Sequence, residues 1–146
     1  MRIAVIRLKG KFSLSPKINS ALSSLRLDML YSCVLLPEGE AAKGMIHACK
    51  DVVSYGKVTK EDIETLLTRR GRTQDRKKLS LSKKPEEIKK LAAEIDSSDK
   101  KLSALGVYPV FFLSPPKGGF GRRKANAPFG PLGKNAEMSN LIGRMA

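Results

Sequence analysis

Tryptophan is absent from this chain, histidine occurs once, and aromatic residues make up only 5% of it. With Tyr31, Tyr55, Tyr108 and five phenylalanines, mostly in apolar runs, no platform for stacked bases is evident. The single histidine, His47, stands beside Met45 and Ile46. In such a place packing or phosphate contact is a commoner use of imidazole than acid–base work. Cys33 and Cys49 have no CxxC spacing, which speaks against a zinc site. They are expected as free, partly buried thiols in a reducing cytosol. Long hydrophobic runs are missing as well. The longest, Met29–Leu36 and Val107–Leu113, fall far short of the ~20 residues that cross a bilayer. Ile3–Ile6 is the only apolar stretch at the N-terminus, and no signal peptide is visible in it. Acids are scarce too: 14 Asp and Glu face 28 Lys and Arg.

What is present is therefore mostly positive charge, a net +14 over 146 residues. It is spread along the chain, with +5 in residues 1–36, +4 in 37–108 and +5 in 109–146. An imbalance of this size repels itself in a folded molecule, and a polyanion is the usual compensation. Nucleic acid fits better than a membrane, which makes a cytosolic nucleic-acid binder the working expectation. Catalytic constellations are thin. Glu38 and Glu40 are paired carboxylates, but at a strand-to-helix loop they serve the helix N-terminus. The stretch "GPLGKN" lacks two requirements of a phosphate loop: Pro128 stands where glycine is needed, and Asn135 where serine or threonine is needed. No enzyme activity, cofactor or metal is expected.

The local patterns alternate. Arg2–Leu8 has strand composition; Ser15 and Pro16 open a helix whose stripe is Ile18, Leu22 and Leu25. Met29–Leu36 is a second strand ending at Pro37, and "PEGEAAKGMIHACKD" a second helix. Gly44 within that helix costs ~1 kcal/mol against alanine, which points to a close approach there. Val52, Val53 and Tyr55 form a third strand closed by Gly56. Thr59 and Asp62 match a capping box for a helix to about Arg69. Residues 70–84, dense in Lys and Arg with a single Asp, have the character of an exposed, mobile linker. A helix over Pro85–Ile95, a short turn before Gly106, a strand over Val107–Leu113 and a helix over Ala136–Met145 complete the chain. The fold class is α/β: a small sandwich with a β-α-β-α-β core sheet and helices on one face, plus extra helices and a basic C-terminal extension. Three parts are expected: an α/β core at 1–69, a helical insertion at 70–106, and a strand with a Gly/Pro-rich extension at 107–146. With so few helices, part of the sheet or its ends should stay available to a partner.

Basic residues are the strongest candidates for a site. Lys9 and Lys11 flank Gly10 after the first strand, Lys17 opens the first helix, and Lys43 and Lys50 bracket Gly44. From Pro115 to Lys134 the chain holds five glycines, four prolines, five Lys or Arg and no acid. This segment can bury little and hold no regular ladder. Its glycines let backbone N–H groups approach phosphates, and Lys117, Arg122, Arg123, Lys124 and Lys134 supply charge. Phe120, Phe129 and Leu132 are spaced as anchors.

Three stretches carry a resemblance. "RLKGKFSLSPKINSALSSLRL", "AAKGMIHACKDVVSYGKVTKEDIETLLTRRGR" and "LSPPKGGFGRRK…GPLGK…LIGRM", in this order, resemble the large-subunit ribosomal protein family numbered thirty in bacteria and seven in eukaryotes, in its archaeal-type long form. Lys43-Gly44-Met45 and the PPKGG stretch at Pro115–Gly119 are its most specific pieces; Arg70–Ser103 lies outside it. Short bacterial members end near the third strand, so the later helices and tail mark the longer branch. The resemblance implies a structural component of the large ribosomal subunit that binds folded ribosomal RNA. It implies RNA-facing roles for Lys9, Lys11, Lys17, Lys43, Gly44, His47, and for Lys117, Gly118 and Gly119 in the tail. Lys43 replaces the commoner arginine, giving a point charge in place of a bidentate fork. Large-subunit ribosomal RNA is the implied partner, with 5S ribosomal RNA and neighbouring ribosomal proteins as further candidates. The competing expectation is a free-standing RNA-binding regulator, which would need base-reading features.

Overall fold

The computed structural model describes residues 2–10, 14–98, 101–120 and 130–146. Five strands, Arg2–Arg7 (β1), Ser32–Pro37 (β2), Val53–Val58 (β3), Val110–Phe112 (β4) and Gly133–Lys134 (β5), form one sheet in the order β4-β2-β1-β3-β5. β1 is central and antiparallel to β2 and β3; β4 adds antiparallel to β2, and β5 adds parallel to β3. Side-chain alternation divides the core into two layers. Ile3, Val5, Val34, Val53 and Val110 face one side; Ala4, Ile6, Cys33, Leu35 and Phe111 face the other.

The first layer is closed by helices Pro16–Ser24 (α1) and Glu40–Ala48 (α2). Ser15 caps α1 by accepting the Ile18 N–H at 3.4 Å, with Pro16 at the first position. Leu22, Leu25 and Ile46 then point into the valine layer. The β-α-β-α-β run thus has its two connecting helices on one face, as expected. The second layer is closed by Lys60–Arg70 (α3), Leu79–Ser82 (α4), Pro85–Ser97 (α5) and Met138–Met145 (α6). α3 opens with the Thr59–Asp62 capping box, and the same Asp62 carboxylate accepts the Ser139 hydroxyl at 2.6 Å, tying α6 to α3. Both faces of the sheet are therefore covered. Of the two places expected to stay available to a partner, part of the sheet or its ends, the covered faces leave the ends and edges.

Other expectations are corrected locally. β2 starts at Ser32, because Met29 and Leu30 turn outward, 60% and 45% exposed. β3 runs through Gly56 to Val58. β4 starts at Val110, since Val107 is used in a bridge to Thr73. Residues 70–84 are largely exposed, as expected, but they are more than a linker. Arg72 bridges Lys78, Gly71 and Leu79 are buried, and α4 follows. A single apolar anchor is enough to fix so short a segment. The extension also buries more than its composition suggests: Pro116, Pro131 and Leu132 are buried, Phe120 packs against the second layer, and β5 is a short ladder.

Candidate nucleic-acid interface

The register brings one end of the sheet together from five directions. β1 leaves the sheet there, and Leu8 and Lys9 donate their N–H groups to the Val52 carbonyl at 3.0 and 3.3 Å. β3 enters beside it, with Val53 opposite Arg7, so Lys50 and the end of α2 lie next to Lys9. β4 runs antiparallel to β2 with Ser32 opposite Phe112, and so leaves the sheet where β2 enters, leading directly into Pro115–Gly119. β5 begins opposite Ser54 and carries Lys134 opposite Tyr55. Arg7 holds this end from inside. Its buried guanidinium donates to the carbonyls of Lys9 (2.8 Å), Leu27 (2.7 Å) and Asp28 (3.1 Å).

The PPKGG turn is built, not loose. Gly118 and Gly119 adopt φ of 81° and 75°, the left-handed region that a side chain would strain. The Arg144 guanidinium donates to the Lys117 carbonyl at 2.9 Å and to that of Gly119, while Lys117 N–H returns a bond to the Arg144 carbonyl at 3.2 Å. Phe120 then stacks on Tyr31 with ring centroids 6.0 Å apart. The outcome leaves the Lys117 side chain exposed on a fixed backbone. Lys134, Arg144 and Phe120 share one open cleft beside it.

The structure thus gathers Lys9, Lys50, Lys117, Gly118, Gly119 and Lys134 toward one end, with Lys17 exposed in the first turn of α1. Lys43 and Gly44 lie farther along α2. Lys43 sits 3.9 Å from Glu38, which also pairs with Lys57 at 3.4 Å, so its charge is partly spent within the chain. Among the described residues nothing approaches Gly44; a Cβ there would meet none of their atoms within 4 Å. His47 is exposed on the same helix, one turn from Lys43. Lys11, Arg122, Arg123, Lys124 and the expected anchor Phe129 lie outside the described residues.

Sequence reasoning missed several contributors. Arg69, Arg70 and Arg72 come to this end because α3 runs back to it; Arg70 donates to the Ser114 hydroxyl. Arg76 and Arg144 were equally invisible as site residues. The density of charge at 70–84 was the available signal, and taking it for a linker concealed it. The aromatic residues are not all confined to the core: Tyr108 and Phe112 are stacked at 6.4 Å, with the guanidiniums of Arg76 and Arg72 over them.

Chemically, the arrangement neutralises anions. Burial pushes the Cys33 thiol up to about 12 and also raises that of Cys49, which keeps both protonated and unreactive near neutrality. Among the described residues no group of three or more His, Cys, Asp or Glu is placed to hold a metal ion. No helix is long and apolar enough to cross a membrane, again among the described residues.

The chain is similar in sequence to known proteins. The family model described as ribosomal protein L30p/L7e matches residues 3–53, from β1 to the start of β3. Curated relatives extend the match to nearly the whole chain. The large ribosomal subunit protein uL30 of Thermofilum pendens is 39% identical, covering 97% of this chain and 96% of its own. That of Archaeoglobus fulgidus is 36% identical over 95% of each, and that of Methanococcus maripaludis 32% identical over 99% of each.

Proposed function

The chain belongs to the ribosomal protein L30p/L7e family, and from that premise we propose that it is a structural component of the large ribosomal subunit, binding and stabilising folded ribosomal RNA for translation. The observation that carries this reading is the convergence of Lys9, Lys50, Lys117 and Lys134 on one end of the sheet, on backbone fixed by Arg7 and Arg144. Phosphates on adjoining RNA strands are met there by charges from elements far apart in sequence. Folded RNA offers just such clustered phosphates and wide minor grooves, which are recognised by shape.

In this reading Lys43, Gly44 and His47 form a second contact along α2, Lys17 adds one from the first turn of α1, and Lys11, Arg122, Arg123 and Lys124 are further RNA-binding residues. The open space over Gly44 suits a close backbone approach by a ribose or phosphate. Residues 1–69 act as the RNA-binding core, 70–106 as a helical insertion, and 107–146 as a basic strap. The role is structural, without catalysis, and is exercised in the cytoplasm inside a ribonucleoprotein. Neighbouring ribosomal proteins are partners, and contact with 5S ribosomal RNA belongs to the same proposal.

The test is sedimentation of a tagged copy in cell lysate on a sucrose gradient, after a salt wash that strips loosely bound factors. Migration with large subunits is expected. A tag that stays at the top of the gradient, or leaves the subunits at modest salt, overturns the structural role in favour of a free-standing regulator.

A further inference from the structure

A second surface lies along the outer edge of β4, and the lysines discussed above take no part in it. An open cleft there is lined by Arg26, Arg72, Arg76, Tyr108, Phe112 and the exposed Met29–Leu30 pair. Tyr108 and Phe112 are stacked with centroids 6.4 Å apart and planes 28° apart. The Arg72 guanidinium lies 5.4 Å from the centre of the Phe112 ring, and that of Arg76 lies 6.0 Å from the centre of Tyr108. None of the three arginines has an ion-pair partner among the described residues. Asp28, the one acid among the described residues that line the cleft, accepts the Ser23 hydroxyl at 2.9 Å.

The backbone around this cleft is unusual. Among the described residues three that are not glycine have positive φ: Arg26 at 59°, Tyr31 at 60° and Arg76 at 60°. Two of them line the cleft, and the third follows Met29 and Leu30. A left-handed backbone costs a residue with a side chain about 1 kcal/mol or more and collects at functional sites. Exposing Met29 and Leu30 in place of extending β2 is a second local cost. Both are explained by a ligand with a flat apolar face and negative charge.

We propose that this cleft takes an unpaired nucleotide of single-stranded RNA, its base seated against the Tyr108–Phe112 pair and its flanking phosphates met by Arg26, Arg72 and Arg76. Bases splayed from loops and bulges are recognised by stacking on aromatic rings and guanidinium planes, and this cleft alternates the two. Three unneutralised cations favour an RNA segment over an apolar protein partner, which would have to desolvate them. The proposal rests on the RNA-binding role but concerns a cleft lined by none of the lysines of that end, which it adjoins through Arg72 and Phe112, and another form of RNA.

The experiment uses the full chain and a short single-stranded oligoribonucleotide carrying a fluorescent adenine analogue, whose emission falls on stacking. A hairpin of large-subunit ribosomal RNA serves as the second ligand. Quenching of the analogue is expected with the unaltered protein. Tyr108→Leu, which keeps apolar bulk and removes the ring face, should abolish quenching and weaken the single strand roughly 5- to 150-fold. Arg76→Gln, at an exposed turn where folding is not at stake, should reduce quenching in the same direction. Lys17→Gln combined with Lys50→Gln should weaken the hairpin and leave quenching intact. Hairpin binding without quenching, or quenching untouched by Tyr108→Leu and Arg76→Gln, sinks the cleft while the RNA-binding role stands. Quenching without hairpin binding leaves the cleft and removes that role. Photo-crosslinking from position 108 in assembled subunits to a protein in place of RNA also overturns the proposal.

Discussion

Arg7 ends the central strand and is only 1% exposed. A buried guanidinium is tolerable because its donors are met by the carbonyls of Lys9, Leu27 and Asp28, which no strand or helix ladder serves. Burial pulls its pKa down, and the nearby Asp28 carboxylate opposes that pull. Its Nη2 is buried with no hydrogen-bond partner among the described residues, so the site is close to its limit of satisfied polarity. Arg7→Met keeps the apolar stem and strands the carbonyls. Urea unfolding should show a loss of about 2–4 kcal/mol, and Arg7→Lys should recover only part of it, lacking the fork that reaches three acceptors. A stability unchanged by Arg7→Met would sink this account. At this scale the apolar core residues were legible from alternation and helical stripes. Arg7 was not, because its partners are main-chain carbonyls brought near by the turn at 25–28, and a carbonyl leaves no mark in a sequence. Arg144, which clamps the PPKGG turn in the same way, was hidden for the same reason.

Two glycines separate what an element shows from what its sequence shows. Gly44 was expected to mark a close approach and Gly56 to end a strand; among the described residues it is Gly56 that is closely approached, and it lies inside β3. Gly56 sits inside β3 opposite Ala4, where a Cβ would strike the Asn135 carbonyl oxygen and lie 2.9 Å from Met138 Cβ. It is bare because the start of α6 rests on it. Gly56→Ala should therefore destabilise by about 1–3 kcal/mol and expose the 130–146 segment to protease, as overpacking does. Gly44→Ala, in open space on a helix, should stabilise by about 1 kcal/mol. Calorimetric melting of both variants checks the pair; shifts of the same sign would refute it. A glycine's reason lies with whatever packs on it, and for Gly56 the partners are Asn135 and Met138, from the far end of the sequence. Element types were legible for β1, α1, α2, α3 and α5, whose caps and stripes are local. β5 was not, as a two-residue strand has no periodicity to show.

For the whole molecule, class and charge were visible in composition, whereas the meeting of charges at one end was not. That meeting depends on which edge each late strand takes and in which direction, and both are long-range choices. Its consequence is measurable. Contacts to six to ten phosphates should lower affinity for an isolated ribosomal RNA fragment by roughly 10³–10⁵ between 50 and 200 mM salt. A filter-binding titration giving a shallow slope would mean that most of these cations touch no phosphate. The order of the sheet has a further bearing, on how the chain is made. β1, β2 and β3 come first and form its middle, while β4 and β5, from the last third of the sequence, close its two edges. A growing chain thus carries two unsealed strand edges until its final segments arrive, and unsealed edges are templates for pairing with other chains. The protein is at its most adhesive while it is still being synthesised.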